Sequence, residues 1–140
     1  MDALYKATAV STRGRDGKVV VENSPLEFDM ATPAELGGIK KEGINPEQLF
    51  AAGYSACFGS AVQHVIREKK IPIPTPSVQV TVGIDKNSAG GFFLSAEIVV
   101  TLSGIDQAAA DAVVNEAHQI CPYSNATRGN IEVSVVAKVM

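Results

Sequence analysis

The sequence contains little cysteine, little net charge and no apolar segment long enough to span a membrane. Its 140 residues include two cysteines, and 12 Lys and Arg residues against 15 Asp and Glu residues leave a formal net charge of −3. Proteins that bind nucleic acid concentrate basic residues in order to neutralise phosphates. The slight acidic excess therefore argues against nucleic acid as a partner.

Targeting and membrane-spanning signals are also missing from the sequence. Residues 1–11, MDALYKATAVS, lack the apolar core of a signal peptide. The longest run of small and apolar residues, 49–62, has about 14 residues, whereas a membrane-spanning helix needs roughly 20. We therefore expect a cytoplasmic protein that does not enter a membrane. In that reducing compartment Cys57 and Cys121 are expected to be free, metal-bound or catalytic rather than joined in a permanent disulfide bond.

Residues 45–70 predict a long helix around which the rest of the chain is organised. Asn45 is a good N-cap, and Pro46 suits the first helical position because its missing N–H would have no partner there. The Glu47 carboxylate lies favourably at the positive end of the helix. Pro72 then limits the helix at its other end.

This helix is small or apolar on every side from residue 49 to residue 62, which predicts burial on all sides. Gly53 and Gly59 each cost about 1 kcal/mol relative to alanine inside a helix. We expect them where another backbone approaches closely. The Cys57 thiol stands in the middle of this surface and is its chemically unusual group.

Six further segments are predicted to form β-strands, because they are rich in β-branched and aromatic residues or alternate in polarity. These segments are residues 4–11, 18–22, 26–30, 78–85, 92–102 and 131–139. Between the first two, the chemistry of the turn predicts a positive φ at Gly17. Residues 31–44 predict a long loop.

A second helix is predicted over residues 107–120, with Asp106 as its N-cap and Cys121-Pro122 at its end. Helical spacing predicts a buried face made of Ala109, Ala112, Val113, Ala117 and Ile120. The order of the elements indicates an α+β fold in a single domain, residues 1–140. It would combine antiparallel sheets with a long buried central helix and a second helix.

Cys57 and Cys121 are the candidates for chemistry, although a free cysteine often only packs in the core. Two cysteines at structured positions suit a reversible dithiol–disulfide pair. Burial would raise the pKa of Cys57 and make its thiol a poor nucleophile, so chemistry there requires a cation. Arg15 is a candidate for that cation, or else an ordinary solvated turn residue. Glu47 is likewise either functional or simply a helix-terminal charge.

The two histidines raise the question of a metal site, since zinc sites can use two Cys and two His. Cys57 and His64 would be about 10 Å apart along one helix, which is too far for a single ion. We therefore expect no metal and no other cofactor.

Three segments carry a resemblance to a known family: GRDG at residues 14–17, INPEQLFAAGYSACFGSA at residues 44–61 and ICPYSNATRGNIEV at residues 120–133. Together they resemble the organic hydroperoxide resistance proteins, which are thiol peroxidases of the osmotically inducible protein C superfamily. The similarity runs nearly end to end. It implies the fold of that family, including an intertwined homodimer.

The resemblance also implies roles for individual residues. Cys57 matches the peroxidatic cysteine and Cys121 the resolving one, while Arg15 matches the arginine that holds the thiolate and Glu47 the glutamate paired with it. Arg13 departs from the Gly-Gly-Arg usual in this turn, and we choose Arg15 because it precedes Asp-Gly as the motif requires. The implied reaction forms a Cys57 sulfenic acid and then a Cys57–Cys121 disulfide, which a lipoylated protein or another dithiol reduces.

Aromatic and aliphatic residues surround the helix near Cys57 and predict an apolar approach to the sulfur: Leu49, Phe50, Tyr54 and Phe58. Such a pocket favours alkyl or fatty-acid hydroperoxides over hydrogen peroxide. Glu47 and Cys57 would be about 15 Å apart along a straight helix, so we expect an active site shared between two chains. The alternatives are a redox sensor or binding module that switches without turnover, and a structural protein with two idle thiols.

Overall fold

The computed structural model describes residues 2–39 and 41–140, and the chain divides into two compact units, Met1–Leu49 and Phe50–Met140. The predicted loop at residues 31–44 includes Lys40, which lies outside the described residues. Each unit is taken separately below. The predicted α+β class is confirmed, with two three-stranded sheets and helices between the strands.

The first unit contains an antiparallel sheet in the order β1-β2-β3. Its strands are β1 Ala9–Thr12, β2 Lys18–Val21 and β3 Glu27–Asp29, and short 3-10 turns cover Gly14–Asp16 and Ala34–Leu36. The first strand is shorter than predicted, because only its last residues pair with β2. A parallel bridge joins Met30 to Ile44 after β3.

In the tight turn between β1 and β2, positive φ angles occur at Arg13 and Gly14 rather than at Gly17, where one was expected. Arg13 and Gly14 adopt φ of 64° and 54°, whereas Gly17 has φ −113°. Gly17 is required for another reason, since a Cβ atom there would lie 1.7 Å from the Thr12 carbonyl oxygen. The prediction for Gly17 was wrong about conformation, and the glycine instead permits a close backbone approach.

The long helix α1 spans Pro46–Glu68. Asn45 and Gln48 form a capping box: the Asn45 side chain accepts from the Gln48 N–H at 2.8 Å, and the Gln48 side chain accepts from the Asn45 N–H at 2.9 Å. The predicted start of the helix is therefore confirmed.

The predicted burial of α1 on all sides is corrected within this chain. Its buried face consists of Tyr54, Phe58, Ala61, Val62 and Val65. Ala52, Ala56 and Ser60, four residues apart, are exposed. The expectation that no segment is long enough to span a membrane is corrected for α1, which as a whole helix qualifies by length and composition. Core helices of soluble proteins also pass this test. Its buried face belongs to the hydrophobic core of the second unit.

The second unit contains the sheet β4-β5-β6, the part of α1 from Phe50 onward and two further helices. The strands are β4 Ser77–Lys86, β5 Phe92–Leu102 and β6 Glu132–Val139, and the helices are α2 Gln107–Ile120 and α3 Pro122–Thr127. The β4–β5 pair is an antiparallel hairpin, as predicted. The β5–β6 pair is parallel, which corrects the expectation of purely antiparallel sheets. The reason is that α2 and α3 form a crossover that returns the chain to the starting end of β5.

The second helix begins as predicted, because the Asp106 side chain accepts a hydrogen bond from the Ala109 N–H at 2.8 Å. Its buried face is rotated from the predicted one and consists of Ala110, Val113, Val114 and Ala117. Ala109, Ala112 and Ile120 are exposed. Small alanines on several sides of α2 made the phase of its apolar stripe ambiguous in the sequence.

Candidate active site

The two cysteine sulfurs lie next to each other in the second unit. Cys57 comes from the middle of α1 and Cys121 from the junction of α2 and α3, 64 positions later, yet their Sγ atoms are 3.5 Å apart. Both thiols are free. A disulfide bond requires sulfurs about 2.05 Å apart, so only a small displacement separates the dithiol from the disulfide.

Pro122 sets the backbone at Cys121. A residue before proline is disfavoured in the helical region, and Cys121 is extended, with φ −65° and ψ 122°. It therefore ends α2 and serves as the N-cap position of α3, with Pro122 in the first helical turn. Pro122 ends α2, as predicted, and the same proline also starts α3, which was not predicted.

The Cys57 thiol is partly buried and borders an open cavity of about 380 Å³. Besides Cys57, the cavity is lined by Ser60, Ala61, His64, Ile120 and Pro122. Burial raises the pKa of Cys57, and the neighbouring Cys121 thiol raises it further, while the backbone N–H of Tyr123 acts to lower it. Cys121 is fully buried. A small reactant can thus approach Cys57 but not Cys121.

A buried chain of hydroxyl groups lies beside the cysteine pair. The Tyr54 hydroxyl is 2.8 Å from Ser124 Oγ and 3.1 Å from Thr127 Oγ1. Ser124 Oγ is also 2.8 Å from Nδ1 of His118, whose pKa is lowered by burial and by the charge of Arg128. This chain connects α1, α2 and α3.

Arg15 and Glu47 form a bidentate ion pair in the first unit. Nη1 and Nη2 of Arg15 donate to the two carboxylate oxygens of Glu47 at 2.8 and 2.6 Å. The hydrogen bonds to Arg15 hold the pKa of Glu47 below its usual value, and those to Glu47 raise the pKa of Arg15. Of the two arginines in this turn, Arg15 is thus the one joined to Glu47.

The turn that carries Arg15 is anchored through its neighbour. Thr32 Oγ1 donates to the Asp16 carboxylate at 3.1 Å, and Lys41 Nζ donates to the Asp16 carbonyl oxygen at 3.1 Å. These contacts tie the turn to the loop that precedes α1 and so fix the residue next to Arg15.

The four residues predicted to contact substrate fall in different environments. Tyr54 and Phe58 are fully buried in the core of the second unit, and their contact with a substrate stays a prediction. Phe50 is partly buried and, together with Tyr123, lines a separate apolar groove of about 800 Å³. Leu49 is the last residue of the first unit. Ser60, Ala61 and His64 line the cavity beside Cys57 but were not predicted to do so. They follow Cys57 by three, four and seven residues, a spacing that places them on the same face of the helix.

The two histidines considered above for a metal site lie in different surroundings. His118 is bonded to Ser124, and His64 lines the cavity. Within residues 2–39 and 41–140 the structure gathers no group of three or more His, Cys, Asp or Glu side chains that could hold a metal ion.

Comparison with known proteins places this geometry in a family. The model of the family described as OsmC-like protein matches residues 39–136. The organic hydroperoxide resistance protein of Xanthomonas axonopodis pv. citri is 46% identical over 133 residues, covering 94% of this chain and 93% of that protein. Organic hydroperoxide resistance protein-like 2 of Staphylococcus epidermidis is 45% identical over 135 residues, covering 96% and 95%.

The fold is shared as well as the sequence. The crystal structure of an organic hydroperoxide resistance protein from Elizabethkingia anophelis superposes with a TM-score of 0.95 at 45% identity, covering all of both chains. Sequence identity of this size over nearly the whole length, together with the matching fold, decides the relationship. The chain belongs to the OsmC-like family, among the organic hydroperoxide resistance proteins.

Proposed function

We propose that this protein is a cysteine-based peroxidase that reduces organic hydroperoxides to alcohols. One observation carries the proposal: an accessible thiol, Cys57, has an enclosed thiol, Cys121, 3.5 Å from its sulfur. That arrangement suits a thiol that is oxidised and a second that closes a disulfide on it. The names of the relatives, organic hydroperoxide resistance proteins, support the choice of oxidant.

The reaction proceeds in three balanced steps. The Cys57 thiolate attacks the distal oxygen of the hydroperoxide; the O–O bond breaks, and the alkoxide takes a proton and leaves as the alcohol. The resulting Cys57 sulfenic acid condenses with the Cys121 thiol to a disulfide and releases water. An external dithiol then reduces the disulfide by thiol exchange and is itself oxidised to a disulfide. A lipoylated protein fits this last role, and the sequence has no nucleotide-binding fingerprint for direct reduction by a nicotinamide.

The thiolate requires a positive charge, because burial raises the pKa of Cys57. We assign that role to Arg15, whose guanidinium is oriented by the bidentate pair with Glu47. An arginine held in this way presents a fixed charge that costs little reorganisation when the thiolate forms.

We place this chemistry in a cytoplasmic homodimer whose active sites combine residues of both chains. Two observations support the dimer: a row of small exposed residues on α1, namely Ala52, Ala56 and Ser60, and the separation of about 15 Å between Glu47 and Cys57 along a helix. In this arrangement Arg15 and Glu47 of one chain act on Cys57 of the other.

A peroxidase assay tests the function directly. Purified protein is given tert-butyl hydroperoxide, a fatty-acid hydroperoxide or hydrogen peroxide, each with dihydrolipoamide or glutathione as reductant. We expect turnover with the organic hydroperoxides and dihydrolipoamide, and a lower catalytic efficiency with hydrogen peroxide. The proposal fails if no organic hydroperoxide is turned over, and the substrate preference fails if the two kinds of peroxide react equally well.

A further inference from the structure

The short helix α3 touches both cysteines through its first turn. Cys121 is its N-cap residue, and Pro122, its first residue, lines the cavity beside Cys57. The backbone N–H of Tyr123 opposes the rise in the pKa of Cys57 that burial causes. The placement of this one turn therefore controls how far apart the two sulfurs lie.

A helix as short as α3 is not stable without contacts to the rest of the protein. It has six residues, far fewer than the 12 to 15 or so at which an isolated helix becomes even marginally stable in water. Its placement must come from tertiary contacts. The Tyr54 hydroxyl of α1 bonds to both Ser124 and Thr127, and His118 of α2 bonds to Ser124, so this hydroxyl chain supplies such contacts from α1 and α2.

Loss of these hydrogen bonds is costly because the hydroxyl groups are buried. Tyr54 and Ser124 are fully buried, and Thr127 is 5% exposed. Among the described residues no buried side-chain polar atom lacks a partner. A shift or rotation of α3 would separate hydroxyls that have no water to replace their partners, and buried polar groups left unpaired are costly.

We infer that the hydroxyls of Tyr54, Ser124 and Thr127 position the resolving thiol of Cys121 against Cys57 by fixing α3. The inference rests on the proposed function and deepens it. A Cys57 sulfenic acid has two fates: it condenses with the Cys121 thiol and releases water, or it reacts with a second hydroperoxide to give sulfinic acid and a second alcohol. Correct placement of Cys121 favours the first fate.

Matched substitutions at Thr127 separate positioning from bulk packing. Thr127→Val keeps the shape of the side chain but removes the hydroxyl, whereas Thr127→Ser keeps the hydroxyl and removes a methyl group. Each variant and Tyr54→Phe is treated with tert-butyl hydroperoxide without reductant, and mass spectrometry measures the ratio of disulfide to sulfinic acid. We expect Thr127→Val and Tyr54→Phe to lower this ratio roughly fivefold, the equilibrium effect of one neutral hydrogen bond. Thr127→Ser should remain within about twofold of the wild type.

A second measurement does not depend on peroxide. The Cys57–Cys121 disulfide is equilibrated with reduced and oxidised dithiothreitol, and the same two hydroxyl-free variants should form the disulfide several-fold less readily. Val100→Ala, a cavity variant on β5 outside the hydroxyl chain, controls for lowered stability and should leave both readouts unchanged.

The outcomes are distinguishable. If the wild type forms no disulfide with a hydroperoxide, the proposed function fails, and the dithiothreitol equilibrium still tests the positioning. If the wild type reacts but Thr127→Val matches Thr127→Ser in both readouts, or Val100→Ala shifts them equally, the positioning role is overturned.

Discussion

At the scale of single residues, the proposed roles of the two cysteines follow from their difference in exposure. Cys57 borders a cavity and Cys121 is enclosed. Cys57→Ser should abolish peroxide turnover, since the nucleophile is lost. Cys121→Ser should still consume about one equivalent of hydroperoxide and then stop, with Cys57 open to sulfinic and sulfonic oxidation. Mass spectrometry of each variant after a peroxide pulse checks this assignment, and overoxidation found on Cys121 instead would reverse the roles.

The ion pair of Arg15 and Glu47 predicts a pH dependence of stability. Because the pKa of Glu47 is lowered in the folded state, its contribution to the free energy of unfolding is present above its unfolded pKa and is lost as the pH falls through the folded pKa. Glu47→Gln should therefore lower the free energy of unfolding at pH 7 by about 1 kcal/mol or less. The difference from the wild type should shrink as the pH is lowered through the acidic range.

Urea unfolding at a series of pH values measures this difference. Glu22→Gln, at an exposed carboxylate of the same unit, serves as the matched control and should change stability little at any pH. A deficit in Glu47→Gln that persisted unchanged at the lowest pH would show that the carboxylate charge is not its cause.

At the scale of elements, the capping box at the start of α1 is the clearest local device. Asn45 satisfies the Gln48 N–H, which would otherwise have no helical partner. Asn45→Ala should lower the free energy of unfolding by about 1 kcal/mol. Asn115→Ala, the same change in the exposed interior of α2, should be neutral or slightly stabilising because alanine favours helix. Chemical denaturation compares the two, and equal losses would contradict a capping role.

At the scale of the whole molecule, the proposed homodimer predicts complementation between two inactive variants. Arg15→Ala and Cys57→Ser should each be inactive alone. A heterodimer with composite sites regains about one working site, because one chain keeps Arg15 and the other keeps Cys57. The measurement is peroxidase activity of refolded mixtures, with light scattering to confirm a mass twice the 14.7 kDa of one chain. If heterodimers form and stay inactive, each chain uses its own arginine.

Local structure followed from the sequence wherever neighbours along the chain make the deciding contacts. The caps at Asn45 and Asp106 have their hydrogen-bond partners three residues away, so both were predictable from residue type and spacing. The β4–β5 hairpin was predictable for the same reason, since its strands flank a short turn. The family motifs also identify Cys57 and Cys121 as the candidates for chemistry.

Features that depend on distant segments needed the tertiary structure. A Cβ atom on Gly53 would lie 2.6 Å from the Tyr123 hydroxyl, so the glycine admits a side chain from 70 positions later rather than a backbone, while Gly59 has only an ordinary contact with Val78. Helical spacing places Tyr54 near Cys57, but only the tertiary structure shows that Tyr54 is fully buried and that its hydroxyl bonds to Ser124 of α3.

The sequence by itself determined the caps, most strands, the candidate cysteine pair and the family, because each depends on interactions between near neighbours or on residue type. The tertiary structure alone decided that β6 runs parallel to β5, which face of α2 is buried, and that α3 exists as a separate turn held by buried hydroxyls. The physical reason is that packing between segments far apart in the chain selects among local conformations of similar energy. The spacing of residues along the chain does not predict which conformation is selected.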